Sequence, residues 1–118
     1  SEMPQFDDRD WDSWHRWATA AFMIDVGLLC EKHGVKFRLS VGAEHWQRGS
    51  GANFKHCIVR PGVMAAVLRG DIPFDDLATG YLAEWERAPD VYNEAFLTDL
   101  TEFGYQWMEQ CSKNSKAA

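Results

Sequence analysis

Several signatures of common functions are missing from this 118-residue chain. Its three cysteines are odd in number and far apart, and no cysteine or histidine pair has the spacing of a metal site. No apolar run approaches the roughly 20 residues of a membrane helix. The sequence as given shows no signal-peptide pattern. We therefore expect no metal, no cofactor and no membrane insertion, and we expect a cytoplasmic protein whose cysteines are small apolar fillers.

Charge is distributed unevenly along the chain, and the acidic segment 71–102 contains only one basic residue, Arg87. The chain has a net charge of −6, and its charge is uneven: residues 13–70 sum to +5, whereas residues 71–102 sum to −8. A nucleic-acid-binding surface needs clustered Lys and Arg with aromatics between them. Here the aromatics lie mostly among acids. We expect neither nucleic acid nor an anionic membrane as a partner.

The composition is that of one soluble globular domain. The chain is 46% hydrophobic and 25% charged, and 118 residues are too few for a second core. We assign residues 1–118 to a single domain and expect a frayed tail over residues 112–118. Six Trp and seven Phe are many for this length. Such a surplus fills a core, lines a pocket or forms an interface.

The first half of the chain predicts a long helix followed by a strand. Apolar residues at helical spacing indicate a helix from about Asp10 to His33, ended by Gly34. The segment 35–41 alternates cleanly between apolar and polar residues, which is typical of a half-buried strand. The segment 44–48 lies between glycines and is either a loop or a short strand.

The second half predicts two further strands and three helices. Two stretches that begin with Pro and end with Gly lie back to back and indicate short helices. In chain order, the predicted elements are a strand over 53–60, helices within Pro61–Gly70 and Pro73–Gly80, a strand over 81–87, and a last helix capped by Asp90. Val91, Ala95, Phe96, Leu100, Phe103 and Trp107/Met108 are predicted to form the buried stripe of that helix.

Together these elements predict an α+β fold. We expect a small, mainly antiparallel sheet of three to five strands with helices packed on one face, because tight connections favour antiparallel neighbours. The helical crossover before Tyr81 lets the last strand join elsewhere in the sheet.

This order of elements resembles the sterol carrier protein 2 (SCP2-like) family. The resemblance rests on the strand 54–60, the helix 63–70 with its final glycine, the turn 74–80 and the strand 81–87. The segment 88–93 also resembles SCP2-like domains attached to metallo-β-lactamase-fold hydrolases. The chain departs from the family pattern after its last strand, where Ala88-Pro89 replaces a glycine turn, and only residues 44–48 are available for the family's second strand.

The resemblance implies a non-catalytic module with a hydrophobic pocket for fatty-acyl or sterol-like ligands between sheet and helices. The aromatic residues expected around that tunnel are Phe22, Phe54, Phe74, Trp85, Phe96, Phe103 and Trp107. The same side chains would equally fill a solid core. The alternative function is an accessory or dimerisation domain of an enzyme, so the partners left open are an apolar small molecule, a second copy and an enzyme.

A second hypothesis is a small enzyme built on a polar site of Asp25, Glu44 and His45. A carboxylate and an imidazole on a glycine-rich segment are suitable for acid–base chemistry. Asp25 is the only charge in an apolar stretch of the first helix, and a buried carboxylate must be paired or have a raised pKa.

A third hypothesis is an interaction surface on the first helix. Trp11, Trp14 and Trp17 recur at steps of three residues, which predicts that they share one helical face. Such a stripe belongs either to the core or to a protein interface.

Overall fold

The computed structural model describes residues 5–90 and 94–117, so the place predicted for Val91 lies outside the described residues. The fold is α+β, as predicted. A 3₁₀ turn at Asp8–Asp10 precedes the main elements, which are α1 (Ser13–His33), β1 (Val35–Val41), β2 (Glu44–Arg48), β3 (Asn53–Val59), α2 (Pro61–Arg69), α3 (Asp75–Ala78), β4 (Ala83–Ala88) and α4 (Glu94–Ala117).

Helix α1 begins three residues later than predicted. The carboxylate of Asp12 accepts a hydrogen bond from the backbone N–H of His15, which makes Asp12 the N-cap. Trp11 therefore precedes the helix. At the other end Gly34 adopts a left-handed conformation with a φ of 62°, as expected for a glycine that ends a helix.

The four strands form one mixed sheet in the order β2-β1-β3-β4. The tight connection from β1 to β2 gives an antiparallel pair, as predicted, and β3 and β4 are also antiparallel. The central pair, β1–β3, is parallel, with Val35 opposite Asn53 and Val41 opposite Val59. The segment 44–48, which the sequence left between loop and strand, is an edge strand.

The parallel pair depends on a short loop that crosses the start of β1. After β2, residues 49–52 pass over the junction between α1 and β1, and β3 then begins on the far side of β1. A Cβ atom at Gly49 would collide with the carbonyl oxygen of Val35, and one at Gly51 with the carbonyl group of Gly34. Only glycine allows so close a crossing.

All four helices lie on one face of the sheet, and the core lies between the two layers. Alternate residues of β1 point into it, from Val35 to Val41, together with Cys57 and Val59 of β3. Helix α2 begins at Pro61 and ends at Gly70, as predicted, and is buried almost all round. The three cysteines are buried and unpaired.

Strand β4 and helix α4 close the fold. Ala83 and Trp85 pack against the core while Glu84 and Glu86 point away from it, as the alternation predicted. The buried stripe of α4 contains Phe96, Leu100 and Met108, whereas Ala95 is exposed. The predicted tail is helical as far as Ala117. No helix within the described residues is long and apolar enough to span a membrane.

Candidate functional site

The face of the sheet opposite the helices is the most distinctive surface of the described chain. Within residues 5–90 and 94–117, no helix packs on it. We call it the open face. Its side chains are Lys36, Arg38 and Ser40 of β1, His45 and Gln47 of β2, Phe54, His56 and Ile58 of β3, and Glu84 and Glu86 of β4.

A hydrogen-bonded pair lies near the middle of the open face. Ser40 Oγ and His56 Nε2 are 2.7 Å apart on neighbouring strands, and the imidazole tautomer decides which atom donates. Ser40 is buried and His56 is half-buried. A serine–histidine pair is half of a nucleophilic site, but a serine that is only 6% exposed presents little surface to a substrate. The pair instead ties β1 to β3 through their side chains.

The electrostatics of the open face keep His56 neutral. Burial lowers the pKa of His56, the carboxylate of Glu86 opposes this shift, and Arg38 and His45 lower the pKa further. Lys36 and Arg38 make the β1 side of the face positive, whereas Glu84 and Glu86 make the β4 side negative. The apolar side chains of Phe54 and Ile58 lie on the strand between these two sides.

The open face continues into a hollow at one end. This hollow has a volume of about 700 Å3 and lies between β4, the end of β3 and the N-terminal segment. Ile58 and Glu84 of the open face line it, together with Phe6 and Val63. The half-buried apolar surface therefore extends past the edge of the strands.

The residues predicted to line a ligand tunnel are divided by the sheet. Phe54 lies on the open face, with its ring centroid 5.9 Å from that of His56. The others lie on the helix side, where Phe22 is the centre of a cluster with ring centroids 5.8 Å from Phe74, 5.5 Å from Phe103 and 5.4 Å from Trp107. Phe96 and Trp85 flank the ring of Phe37, each at 5.9 Å.

These helix-side aromatics leave almost no room between them. The void bordered by Phe22, Phe74 and Trp85 measures about 10 Å3, which is near the least that holds one water molecule. The indole N–H of Trp85 donates to the carbonyl oxygen of Leu77 at 2.7 Å, so its polar atom is also satisfied. In this conformation the aromatics form a packed core.

The residues of the predicted polar site lie on three different surfaces. Asp25 is exposed on α1, although the sequence placed it in an apolar helix. Glu44 points to the helix side, where Arg16 Nε donates to its carboxylate at 2.6 Å. His45 follows Glu44 in β2 and therefore points to the open face. The structure does not bring the three together.

The three tryptophans predicted to share a helical face do not share one. Trp11 precedes α1 and is buried, and Trp14 packs partly against the core. Trp17 is 66% exposed and lies in line with Ile24 (62%) and Leu28 (77%). We call these last three residues the α1 stripe. It is a second exposed apolar surface, and its Ile24 and Leu28 line a hollow beside Arg48 of β2.

A buried lysine is a further feature that the sequence did not reveal. Lys55 is 3% exposed on the helix side of β3, and burial lowers its pKa, as does the charge of Arg87. It lines a hollow of about 690 Å3 beside β4, together with Trp85 and Leu97. The sequence signal for its burial was that Lys55 shares a strand face with the apolar residues Cys57 and Val59.

The thiols and imidazoles outside the open face that could take part in chemistry are either buried or bonded to a carboxylate. Burial raises the pKa of the Cys57 thiol to about 12 and that of Cys111 to about 11, so both are protonated at neutral pH. His15 is bonded to Asp12 and His33 to Asp99, each at 2.6 Å. Across the described part of the chain, no three His, Cys, Asp or Glu residues are grouped to hold a metal ion.

Comparison with known proteins adds no relative. No family model, no curated protein and no solved structure matches this chain. The resemblance to SCP2-like domains therefore stays a prediction from the sequence.

Proposed function

We propose that this domain is a non-catalytic accessory module that binds a protein surface through its open face. The observation that carries the proposal is the exposed face of the parallel pair β1–β3. Parallel strands are usually covered on both faces, and here the described residues cover only one. A second protein surface would supply the missing layer.

The chemistry of the open face supports this role. Phe54 and Ile58 form a half-buried apolar strip along β3. Charged side chains flank the strip on both sides, with Lys36 and Arg38 on one and Glu84 and Glu86 on the other. An apolar centre with a polar rim is the usual arrangement of a protein interface.

The buried Ser40–His56 pair fits an interface better than an active site. Covering it with a partner would remove little water from the serine, which is already shielded, and would not leave the imidazole without a hydrogen bond. The neutral state of His56 also lowers the cost of covering it, because an uncharged ring loses less hydration than a charged one.

Acyl-ligand binding is the competing proposal that the SCP2-like resemblance implies. A site for such a ligand encloses several hundred Å3, whereas the void among the helix-side aromatics measures about 10 Å3. A carrier role in the predicted tunnel would require the helix layer to move away from the sheet. The accessory role requires no such movement, and it is also implied by the resemblance to domains attached to hydrolases.

Site-specific photocross-linking tests the proposed function. A photoreactive amino acid replaces Glu84 on the open face, and in a matched control it replaces Glu31, which is exposed on α1. Both variants are irradiated in extracts of the cells that produce the protein. We expect discrete protein adducts from position 84 and none from position 31. No adduct from position 84, or the same adducts from both positions, would contradict the proposal.

A further inference from the structure

We infer that the surface covering the open face is a second copy of this chain, packed face to face about a two-fold axis that runs along β3. This inference rests on the proposed function and names its partner. Its basis is that this one symmetry operation places Arg38 opposite Glu86 and the apolar residues of β3 opposite themselves.

The strand register arranges the open face in three rows across the sheet. Arg38, His56 and Glu86 form the middle row. The rows on either side are Ser40–Ile58–Glu84 and Lys36–Phe54–Ala88. Strand β3 therefore supplies the centre of every row. The β1 end is positive at Lys36 and Arg38 and uncharged at Ser40, and the β4 end is negative at Glu84 and Glu86 and uncharged at Ala88.

A two-fold axis along β3 reverses the order of strands and keeps each row in place. Strand β3 then faces β3 of the second copy, and β1 faces β4. Arg38 of each copy is opposite Glu86 of the other, so the contact occurs twice. Facing sheets lie about 10 Å apart, a gap that an arginine and a glutamate reaching from opposite sides span. An axis perpendicular to the strands would instead place Arg38 against itself.

The side chains of β3 on the open face can pack against the same side chains of a second copy. Phe54 and Ile58 on β3 would pack against the same residues of the second copy, and apolar side chains are compatible with themselves. His56 would also lie near its symmetry mate, which is acceptable because its environment keeps the ring neutral. Two charged imidazoles there would repel each other.

The size of the face predicts weak, reversible association. Three facing strands about 4.8 Å apart and about 20 Å long cover roughly 300 Å2 in projection on each copy. Interfaces at this small end of the range hold transient complexes. We expect a dissociation constant of about 10–100 μM.

Sedimentation velocity on the purified chain, from about 5 to about 500 μM, tests the inference. We expect the mass to rise with concentration from 13.5 kDa towards twice that value. Arg38→Glu and Glu86→Arg should each weaken association about tenfold or more, because each places like charges opposite one another. An equimolar mixture of the two should restore it, because one Arg–Glu contact in the mixed dimer becomes a reversed pair of opposite charges.

Two control variants locate the interface. Glu102→Arg makes the same change of charge on the exposed side of α4, and Leu28→Lys disrupts the α1 stripe. Both should associate like the unmodified chain. A mixture that stays monomeric, or association lost in Leu28→Lys but kept in Arg38→Glu, would overturn the inference.

The proposed function and the inference fail in different ways. A chain that is monomeric at every concentration yet forms adducts with another protein from position 84 overturns the second copy and leaves the proposed function in place. Absence of any adduct from position 84, both in the extracts and in the purified chain at about 500 μM, removes both. Circular dichroism of each variant separates loss of association from loss of fold.

Discussion

At the scale of single residues, the open face is organised around Ser40 and His56. The two side chains satisfy each other at 2.7 Å, and burial, Arg38 and His45 all lower the pKa of the imidazole. Unfolded His56 would titrate near its ordinary pKa of 6.5. The unfolded chain therefore binds a proton at a pH where the folded chain does not.

This difference predicts that acid destabilises the fold through His56. As the pH falls below about 6.5, protons bind the unfolded state first, so the free energy of unfolding decreases until the pH passes the lower folded pKa. His56→Gln should remove this part of the pH dependence. Urea unfolding of both chains at pH 7.5 and pH 5.5 measures it, and an equal pH dependence in both would contradict the account.

A second residue-scale prediction concerns the contact between α4 and the core. A Cβ atom on Gly104 would lie 2.5 Å from Cδ1 of the buried Phe74 ring. Gly104→Ala should therefore lower the free energy of unfolding by about 1–2 kcal/mol, since overpacking outweighs the gain in helix propensity. Gln106→Ala, on the exposed side of the same helix, should change it by less than about 0.5 kcal/mol. A stabilising Gly104→Ala would show that Phe74 moves aside easily.

Residue-level predictions from the sequence succeeded where local pattern decides burial. The cysteines are buried, as predicted. Trp85 and Glu86 point to opposite sides of β4, because successive side chains of a strand alternate between its two faces. Asp25 was predicted to be in an apolar environment because its helix is apolar nearly all round. It is exposed because the outward side of α1 is apolar as well, at Ile24 and Leu28.

At the scale of elements, an ion-pair cluster joins the two long helices. His33 Nε2 at the end of α1 donates to the carboxylate of Asp99 on α4 at 2.6 Å, and Lys32 Nζ donates to it at 2.9 Å. The bond from His33, followed by that from Lys32, lowers the pKa of Asp99. The positive charge of Lys32 also lies at the C-terminal end of α1, where it complements the helix dipole.

Removing this contact should loosen the helix layer in a pH-dependent way. The stabilising contribution of Asp99 is complete above its ordinary pKa of 3.8 and is lost as the pH falls through the lower folded pKa. Asp99→Asn should therefore lower the thermal midpoint at pH 7 and have a smaller effect near pH 3. Asp25→Asn, at an exposed position, should change neither midpoint. Equal effects of the two variants at pH 7 would show that the contacts of Asp99 with His33 and Lys32 do not stabilise the fold.

The order of elements was predictable because each boundary has its own chemical marker. Gly34 and Gly70 end helices, and Pro61 begins one. Strand pairing was harder to predict from the sequence, because β1 and β3 become parallel neighbours only through the loop that crosses at Gly49 and Gly51. The Ser40–His56 contact could not be read from a separation of 16 residues without that pairing.

At the scale of the whole molecule, the two faces of the sheet differ in how completely they are covered. On the helix side the aromatics pack around Phe22 with a void of about 10 Å3. On the other side, half-buried apolar residues meet solvent within the described structure. The sequence predicted that helices lie on one face. It placed Phe54 with the tunnel residues because aromatic content does not show which face a side chain occupies.

The packed helix side predicts that the chain does not hold an acyl ligand among the helix-side aromatics. Displacement of a fluorescent fatty acid by C8–C18 chains at about 100 μM should show no saturable site. Insertion of a chain would have to separate buried rings, with the loss of their contacts. Saturable binding at one site per chain would contradict this account and would favour the carrier function that the SCP2-like resemblance implies.

The fold brings the positive and the acidic segments of the sequence to opposite sides of the open face. The positive segment 13–70 supplies Lys36 and Arg38 to one side of the open face, and the acidic segment 71–102 supplies Glu84 and Glu86 to the other. The fold thus places opposite charges on the two sides of an apolar strand. In the proposed pairing, this arrangement sets Arg38 of one copy opposite Glu86 of the other.

Concentration-dependent NMR spectra test whether a second copy binds through the open face. Amide spectra of the labelled chain are compared at about 20 μM and about 500 μM, between which the dimer fraction should rise for a dissociation constant of about 10–100 μM. The account predicts shifts confined to β1, β3 and β4, with the amides near Trp17, Ile24 and Leu28 unchanged. Spectra that are identical at both concentrations, or shifts centred on the α1 stripe, would contradict binding of a second copy through the open face.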